Sequence, residues 1–234
     1  MRNLFKKICL LSISTLALSA NASVILSSDF TGTNGDPTNV SWVENDVTVD
    51  SDFLPTDTSS NLLGLFSIND MFAVDYNIHN EGSWYVDIVL SVNSLIDGIE
   101  LSDFTFDASI FNNSGNLQSV QRDLTFSLDV LDGSSALFSD SDDVFVGDNN
   151  NSGLNPTESV VFDLSSVLLT GGFDYTFRLT ASGTGGGNNA GLDNLVLNGT
   201  SLSSPAAPTA VSAPGSSALL LISGLAFLMR SKRK

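Results

Sequence analysis

The chain has 234 residues, of which 26 are acidic, nine are basic and 42% are hydrophobic. Between residues 23 and 202 there is no lysine, and only Arg122 and Arg178 offset all 26 acidic residues, so this stretch has a net charge of −24. A surface of this charge repels nucleic acid and anionic lipid. With a single histidine, His79, and a single cysteine, Cys9, the chain lacks the residues for histidine-based metal sites and thiolate catalysis. We therefore expect no nucleic-acid partner and no enzymatic activity.

The first 22 residues have the layout of a secretory signal. Three basic residues precede an apolar stretch over residues 8–20, and Ala20-Asn21-Ala22 matches the A-x-A pattern that precedes a cleavage site. We expect a signal helix in residues 1–22, cleavage between Ala22 and Ser23, and export; the alternative is an uncleaved anchor. Cleavage removes Cys9, so the exported chain has no disulfide and needs a large core.

The middle of the chain has the pattern of short strands separated by turns. Strands are predicted over residues 24–30, 40–49, 62–68 and 71–79, and the clearest alternation of apolar and polar residues begins at Trp84. The segments beginning at Phe104, Leu124 and Phe173 repeat this alternation. Period-two alternation is typical of half-buried antiparallel strands. About ten such strands predict an all-β fold, an antiparallel β-sandwich over residues 23–200.

The pattern changes after residue 200. Residues 201–215 are rich in Ser, Ala and Pro, which indicates a linker, and residues 218–229 form an apolar run that ends in a basic cluster. We expect a short hydrophobic helix in residues 216–234. At about 1.5 Å per residue the run covers about 18 Å, against a hydrocarbon core of about 30 Å. Insertion into a membrane is therefore expected to be transient.

The last part of the linker contains a short motif, Val211-Ser212-Ala213-Pro214. The order of motif, short apolar run and basic end resembles the PEP-CTERM class of bacterial sorting signals, which exosortases process. Ser212-Ala213-Pro214 stands where those signals usually read Pro-Glu-Pro. The resemblance implies an exosortase-like membrane protease as partner and delivery to the cell surface, outer membrane or extracellular matrix of a Gram-negative bacterium. A structural or adhesive role in association with exopolysaccharide is the first functional hypothesis.

Residues 190–197, which close the predicted domain, resemble the last strand of jelly-roll carbohydrate-binding modules. The resemblance implies a jelly-roll-like sandwich and a structural calcium site that joins Asp193 to an early turn at Asp29. The alternative is that Asp193 caps or salt-links its own strand. A calcium-dependent carbohydrate-binding module is the second functional hypothesis, and a glycoside hydrolase with a pair of carboxylates is the third.

A second candidate calcium site begins at Asp148. Asp148, Asn150 and Ser152 precede Gly153 with the spacing that opens an EF-hand-like loop, where oxygens at alternate positions surround a hard cation. The twelfth position is Ser159 rather than the usual Glu. The segment is therefore either a Ca²⁺ loop or a solvated turn.

Three aromatic residues are candidates for stacking on sugar rings, namely Trp42, Trp84 and Tyr85. The apolar face of an aromatic ring suits the face of a pyranose. Trp84 is in phase with apolar neighbours along its strand, so we expect Trp84 in the core instead.

Processing at both ends can be tested on exported material. We expect the mature chain to begin at Ser23 and to end near Gly215, because Ala20 and Ala22 suit signal peptidase and a sorting signal is cut near its motif. N-terminal sequencing and mass spectrometry of surface protein check the two ends. Retention of residues 1–22 would show an uncleaved anchor, and an intact segment 218–234 in surface material would contradict the sorting signal.

Calcium is expected to stabilise the folded domain. A cation that binds only the folded state reduces the repulsion among carboxylates and stabilises that state by about 2.7 kcal/mol at a hundredfold excess over Kd. Melting curves at matched ionic strength, with calcium or with a chelator, separate specific binding from screening. We expect calcium to raise the melting midpoint. If Asp148→Ala abolishes this rise, the site is in the loop, and if Asp193→Ala abolishes it, the site is at the closing strand. Equal midpoints with and without calcium would contradict the prediction.

Overall fold

The computed structural model describes residues 22–32, 36–50, 52–67, 71–78, 82–118, 123–146, 157–183 and 189–203. Within these ranges the chain forms one 3-10 turn, Pro37–Asn39, and fourteen β-strands: β1 (Ser23–Ser28), β2 (Val43–Glu44), β3 (Val47–Val49), β4 (Thr56–Asp57), β5 (Gly64–Leu65), β6 (Phe72–Asn77), β7 (Ser83–Val92), β8 (Ile96–Phe111), β9 (Leu124–Asp132), β10 (Ser135–Val144), β11 (Thr157–Asp163), β12 (Leu168–Thr170), β13 (Asp174–Gly183) and β14 (Asn189–Ser203). No helix in these ranges is long and apolar enough to cross a membrane. The predicted C-terminal helix and all but the last residue of the predicted signal helix lie outside them.

The strands form two antiparallel sheets. In sheet A, β8 and β14 pair with each other; β11 and β12 pair with the far edge of β8, and β1 and β6 with the far edge of β14. Strands β2 and β5 extend this sheet from β1 and β6. Sheet B has the order β10-β9-β13-β7-β3, with β4 also paired to β7. The predicted antiparallel β-sandwich of jelly-roll-like arrangement is confirmed.

The core lies between the two sheets, and the predicted alternation places its side chains. On β7, Trp84 and every second residue after it to Val92 are buried. Aromatic rings from the two sheets meet at the centre: Phe106 packs edge-on against Phe126 at 4.8 Å between ring centroids. Such aromatic pairs add about 0.5–1.5 kcal/mol beyond their buried area.

The prediction of one strand over residues 40–49 is wrong. The chain forms two short strands there, β2 in sheet A and β3 in sheet B. They are separated at Asp46, whose φ of 60° turns the chain from one sheet to the other. A backbone hydrogen bond of 2.9 Å from the Asn93 N–H to the Asp46 carbonyl holds this crossing in place.

Other strand boundaries also differ from the prediction. The strand predicted over residues 62–68 is reduced to Gly64–Leu65 in the described part, and β14 runs to Ser203, three residues into the predicted linker. Phe173, predicted to lie in phase with the core, is 57% exposed. It directly follows Gly172, which has a φ of 81°, and β13 begins one residue later. The turn therefore directs this ring away from the core.

Gly191 in β14 provides a stability test, because a Cβ there would lie 2.4 Å from the Phe111 ring and 2.7 Å from the Phe72 carbonyl oxygen. Gly191→Ala is expected to destabilise the fold by about 1–3 kcal/mol through overpacking. Gly64→Ala is the matched control, since a Cβ at Gly64 meets nothing within 4 Å. Thermal unfolding of both variants measures the difference, and equal melting temperatures would contradict the packing of β14 against β6.

Candidate functional site

The outer face of sheet B presents a connected set of polar side chains. Strands β7, β13 and β9 bury their apolar residues and turn the alternate residues outward. In the strand register, Arg178 pairs with Asp87 on one side and with Asp129 on the other. The neighbouring row places Thr180 between Tyr85 and Ser127. We call this surface the Arg178 face: Tyr85, Asp87, Ser127, Asp129, Arg178 and Thr180.

Arg178 is the only lysine or arginine in the described ranges, and it is fixed in place. Its Nε and Nη2 donate hydrogen bonds of 2.7 Å to the two carboxylate oxygens of Asp87. Its Cζ lies 4.4 Å from the centroid of the Tyr85 ring. The hydrogen bonds that Arg178 donates to Asp87 raise the pKa of Arg178 against the opposing effect of burial. A fork-like pair of this kind fixes the plane of the guanidinium.

The energetic contribution of this ion pair to folding is small. The Arg178 and Asp87 side chains are 39% and 32% exposed, and such pairs contribute about 0–1 kcal/mol. The consequence of the pairing is therefore mainly geometric: a flat, oriented group stands on the face of the sheet.

A groove extends the Arg178 face toward the edge strand β10. It is lined by four hydroxyl-bearing residues and two acidic ones, Ser127, Asp129, Ser139, Asp140, Ser141 and Thr180, and we call it the serine groove. The backbone N–H of Ser141 donates a hydrogen bond of 2.8 Å to the Asp140 carboxylate. Hydroxyls donate and accept hydrogen bonds, whereas carboxylates accept them, so the groove suits a ligand rich in hydroxyl or N–H groups.

Asp29 and Asp193 lie near the same end of the paired strands β1 and β14, where the last recorded pair is Ser28 with Leu195. Asp29 directly follows β1, and Asp193 precedes a bulge of β14 at Asn194, which has a φ of 51°. The Thr31 N–H donates to Asp29 at 3.0 Å, and this hydrogen bond lowers the pKa of Asp29. The Asn194 N–H donates to Asp193 at 2.7 Å, and its side-chain amide donates to Asp107 at 3.0 Å. Each of these carboxylates is therefore already hydrogen-bonded by nearby groups.

A metal centre does not stand out in the described part of the chain. No group of three or more His, Cys, Asp or Glu residues there is arranged to hold a metal ion. Asp148, Asn150 and Ser152, the predicted loop site, lie outside the described residues.

The predicted processing residues fall partly within the structure. Ala22 and Ser23 are exposed, and β1 begins at Ser23, so cleavage after Ala22 would leave the whole strand in the mature chain. Ala20 and the motif Val211-Ser212-Ala213-Pro214 lie outside the described residues.

The three candidate aromatic residues have different environments. Trp84 is fully buried, as expected. Trp42 packs edge-on against Phe53 at 5.6 Å and joins the core from its margin. Tyr85 lies on the Arg178 face.

The pairing of Arg178 with Asp87 was not predicted from the sequence. Two features of the sequence pointed to it: basic residues are scarce, and Arg178 is in phase with the outward-facing residues of its strand.

The chain is thus an antiparallel, jelly-roll-like β-sandwich with a polar groove on one sheet. No protein-family model matches it, and no curated protein is similar to it in sequence.

Several solved structures resemble it at low identity. An apo-form cyclase from Fischerella sp. is 15% identical, with a TM-score of 0.41 over 77% of this chain and 99% of that one. TmCBM61, solved with beta-1,4-galactotriose, is 12% identical, with a TM-score of 0.32 over 72% and 97%. The CBM22-1 xylan-binding domain from Paenibacillus barcinonensis is 11% identical, with a TM-score of 0.37 over 80% and 99%. At these values no ligand or activity is transferred to this chain.

Proposed function

We propose that this domain is a non-catalytic carbohydrate-binding module, and that it binds a glycan across the Arg178 face and the serine groove. The observation that carries the proposal is the arrangement of that surface. A guanidinium held by Asp87 over the Tyr85 ring stands beside hydroxyls and carboxylates. Oriented polar groups of this kind suit sugar hydroxyls. A pyranose would stack on the face of the Tyr85 ring that is opposite the guanidinium.

The position of these side chains on paired strands supports recognition of an extended ligand. Four neighbouring strands, β7, β13, β9 and β10, carry the surface. At about 4.8 Å between strands they span about 14 Å, enough for a short oligosaccharide. Groups held by a sheet are ordered before the ligand binds, so less entropy is lost on binding.

The same geometry favours binding over glycoside hydrolysis. A hydrolase needs a carboxylic acid that retains its proton and a second carboxylate across the scissile bond. Asp87 accepts both guanidinium hydrogen bonds, so both of its carboxylate oxygens are engaged by Arg178 rather than directed at a scissile bond. Asp87 and Asp129 stand on either side of Arg178 on an outer sheet face.

The terminal segments supply the cellular context of the proposal. Residues 1–22 export the chain, and an exosortase-like membrane protease recognises residues 211–234 during a transient insertion. The delivered domain then serves as a structural or adhesive component of an exopolysaccharide matrix at the surface of a Gram-negative bacterium. Calcium, bound by the loop from Asp148 or near Asp29 and Asp193, is its proposed structural ion. The net charge of −24 supports this role for a divalent cation.

A glycan array probed with the exported mature protein, with and without calcium, tests the proposal. For the glycan that binds best, Arg178→Ala and Tyr85→Ala are expected to weaken binding at least about tenfold, or about 1.4 kcal/mol each, because they remove the oriented group and its ring. Val161→Ala is the control, since Val161 is 57% exposed on the other sheet.

Melting curves of the three variants confirm that they fold. The proposal is wrong if no glycan binds under either condition, or if the Arg178 and Tyr85 variants bind as tightly as the control.

A further inference from the structure

We propose that one end of the sandwich docks on a neutral lipid surface through the side chains of Leu95 and Phe173. This end is the one at which β14 finishes, and it is distinct from the Arg178 face. The proposal rests on the cellular context of the proposed function, in which the apolar run over residues 218–229 inserts into a membrane. It follows from the exposure of the two side chains, the charges beside them and the course of the chain.

Two connections between the sheets meet at this end. Residues 93–95 join β7 of sheet B to β8 of sheet A, and residues 171–173 join β12 of sheet A to β13 of sheet B. The Val92 N–H donates a hydrogen bond of 3.0 Å to the Phe173 carbonyl, and the Gly172 N–H donates one of 2.9 Å to the Val92 carbonyl. These bonds hold the two turns side by side.

Each of the two turns presents a large apolar side chain to solvent. Leu95 is 81% exposed and Phe173 is 57% exposed. The other aromatic side chains in the described ranges are buried or half-buried, so Phe173 differs from all of them. Neighbouring exposed apolar side chains commonly mark a surface that binds a membrane or another protein.

The charges at this end select against an anionic lipid. Asp97 is exposed, and Asp46 and Asp174 stand beside the two turns. The Ser201 hydroxyl donates a hydrogen bond of 2.6 Å to Asp46, and the Ser91 hydroxyl oxygen lies 2.6 Å from the Asp174 carboxylate. None of these three aspartates takes part in the ion pair recorded in the described ranges. Such acidic groups are repelled by anionic lipid, so the lipid that this end fits is neutral.

The course of the chain identifies lipid as the partner. Ser203, the last residue of β14, pairs with Ile96, which directly follows Leu95. Residues 204–217 then lead to the apolar run over residues 218–229. Even fully extended, a segment of this length spans at most about 50 Å, so insertion of the run keeps this end of the domain within that distance of the bilayer. A tether of this kind raises the effective concentration of lipid at the end of the sandwich, so two apolar side chains are enough for contact.

The test places a reporter at each of the two positions. The full chain, with Cys9→Ser as background, is labelled with an environment-sensitive fluorophore at Leu95→Cys or Phe173→Cys and is reconstituted into phosphatidylcholine vesicles. We expect the emission of both reporters to shift to the blue on reconstitution and to be quenched when the vesicles contain brominated lipid. Partial replacement of the lipid by anionic phosphatidylglycerol is expected to weaken both changes at low salt, because the acidic end is repelled.

Two reporters at other positions are matched controls. Leu62 is 69% exposed and bridges to Thr56, which pairs with Tyr85 near the start of β7, so Leu62→Cys reports on the opposite end of the sandwich. Val161 on β11 is 57% exposed, the same fraction as Phe173, so Val161→Cys reports on an equally exposed position of sheet A. Neither control reporter is expected to shift or to be quenched. Melting curves confirm that each labelled variant folds.

The outcomes separate docking at this end from its alternatives. If Phe173→Ser removes most of the quenching of the Leu95→Cys reporter, both side chains hold the contact. A blue shift without quenching by brominated lipid would show that protein, such as a second copy of the chain, covers this end, and would overturn the proposal. Equal quenching at the control positions, or no shift at positions 95 and 173, would also overturn it. Stronger quenching in anionic vesicles would overturn the choice of neutral lipid.

Failure of the proposed function is recognised separately. Absence of binding on the glycan array overturns the carbohydrate-binding proposal and leaves the result of the vesicle experiment standing, because the two experiments address different surfaces. Failure of the full chain to insert into vesicles overturns the proposed membrane insertion, and the docking proposal with it.

Discussion

The packing of the two sheets through large aromatic side chains is the interaction on which the rest of the structure depends. Phe104 and Phe106 of sheet A meet Phe177 and Phe126 of sheet B at centroid distances of 6.2 and 4.8 Å. The chain has no cysteine after Cys9, so buried apolar surface rather than a disulfide must hold the domain together. Burying each ring contributes about 1.5–3 kcal/mol. Because inward and outward residues alternate on the same strands, this packing also positions the Arg178 face.

Several carboxylates are held in place by hydrogen bonds within the fold. Hydrogen bonds from Asn61 hold the pKa of Asp57 below its ordinary value, and the Ser165 N–H does the same for Asp163. These carboxylates terminate strands by accepting bonds from the turns that follow them. Three further aspartates, Asp140, Asp142 and Asp143, lie on the edge strand β10, where charge opposes pairing with another chain.

Arg178 is unusual because of its surroundings. It stands on a central strand of sheet B with an aspartate in register on each side, in a domain where cations are scarce. The hydrogen bonds from Nε and Nη2 to Asp87 occupy one side of the Arg178 guanidinium. On its other side the strand register places Asp129 of β9, which also interacts electrostatically with Arg178. In the proposed function, recognition of the glycan therefore depends on how one guanidinium is oriented.

The sequence by itself determined the all-β class, the main strands β7, β8, β9 and β13, and which of their residues face the core. This was possible because the alternation of apolar and polar residues along a strand indicates directly which side chains are buried. The outward phase of Tyr85 and Arg178 followed from the same alternation. The scarcity of basic residues and the acidic character of the surface were likewise matters of composition.

Only the tertiary structure decided which outward residues meet. Arg178 and Asp87 are 91 residues apart in the chain, and their contact depends on the register of β13 against β7, which is set by packing between the sheets. The division of residues 40–49 between two sheets was decided by the turn at Asp46, and the exposure of Phe173 by the turn at Gly172. Local periodicity carries no information on strand register or on how a turn redirects the chain, because both depend on contacts between segments distant in sequence.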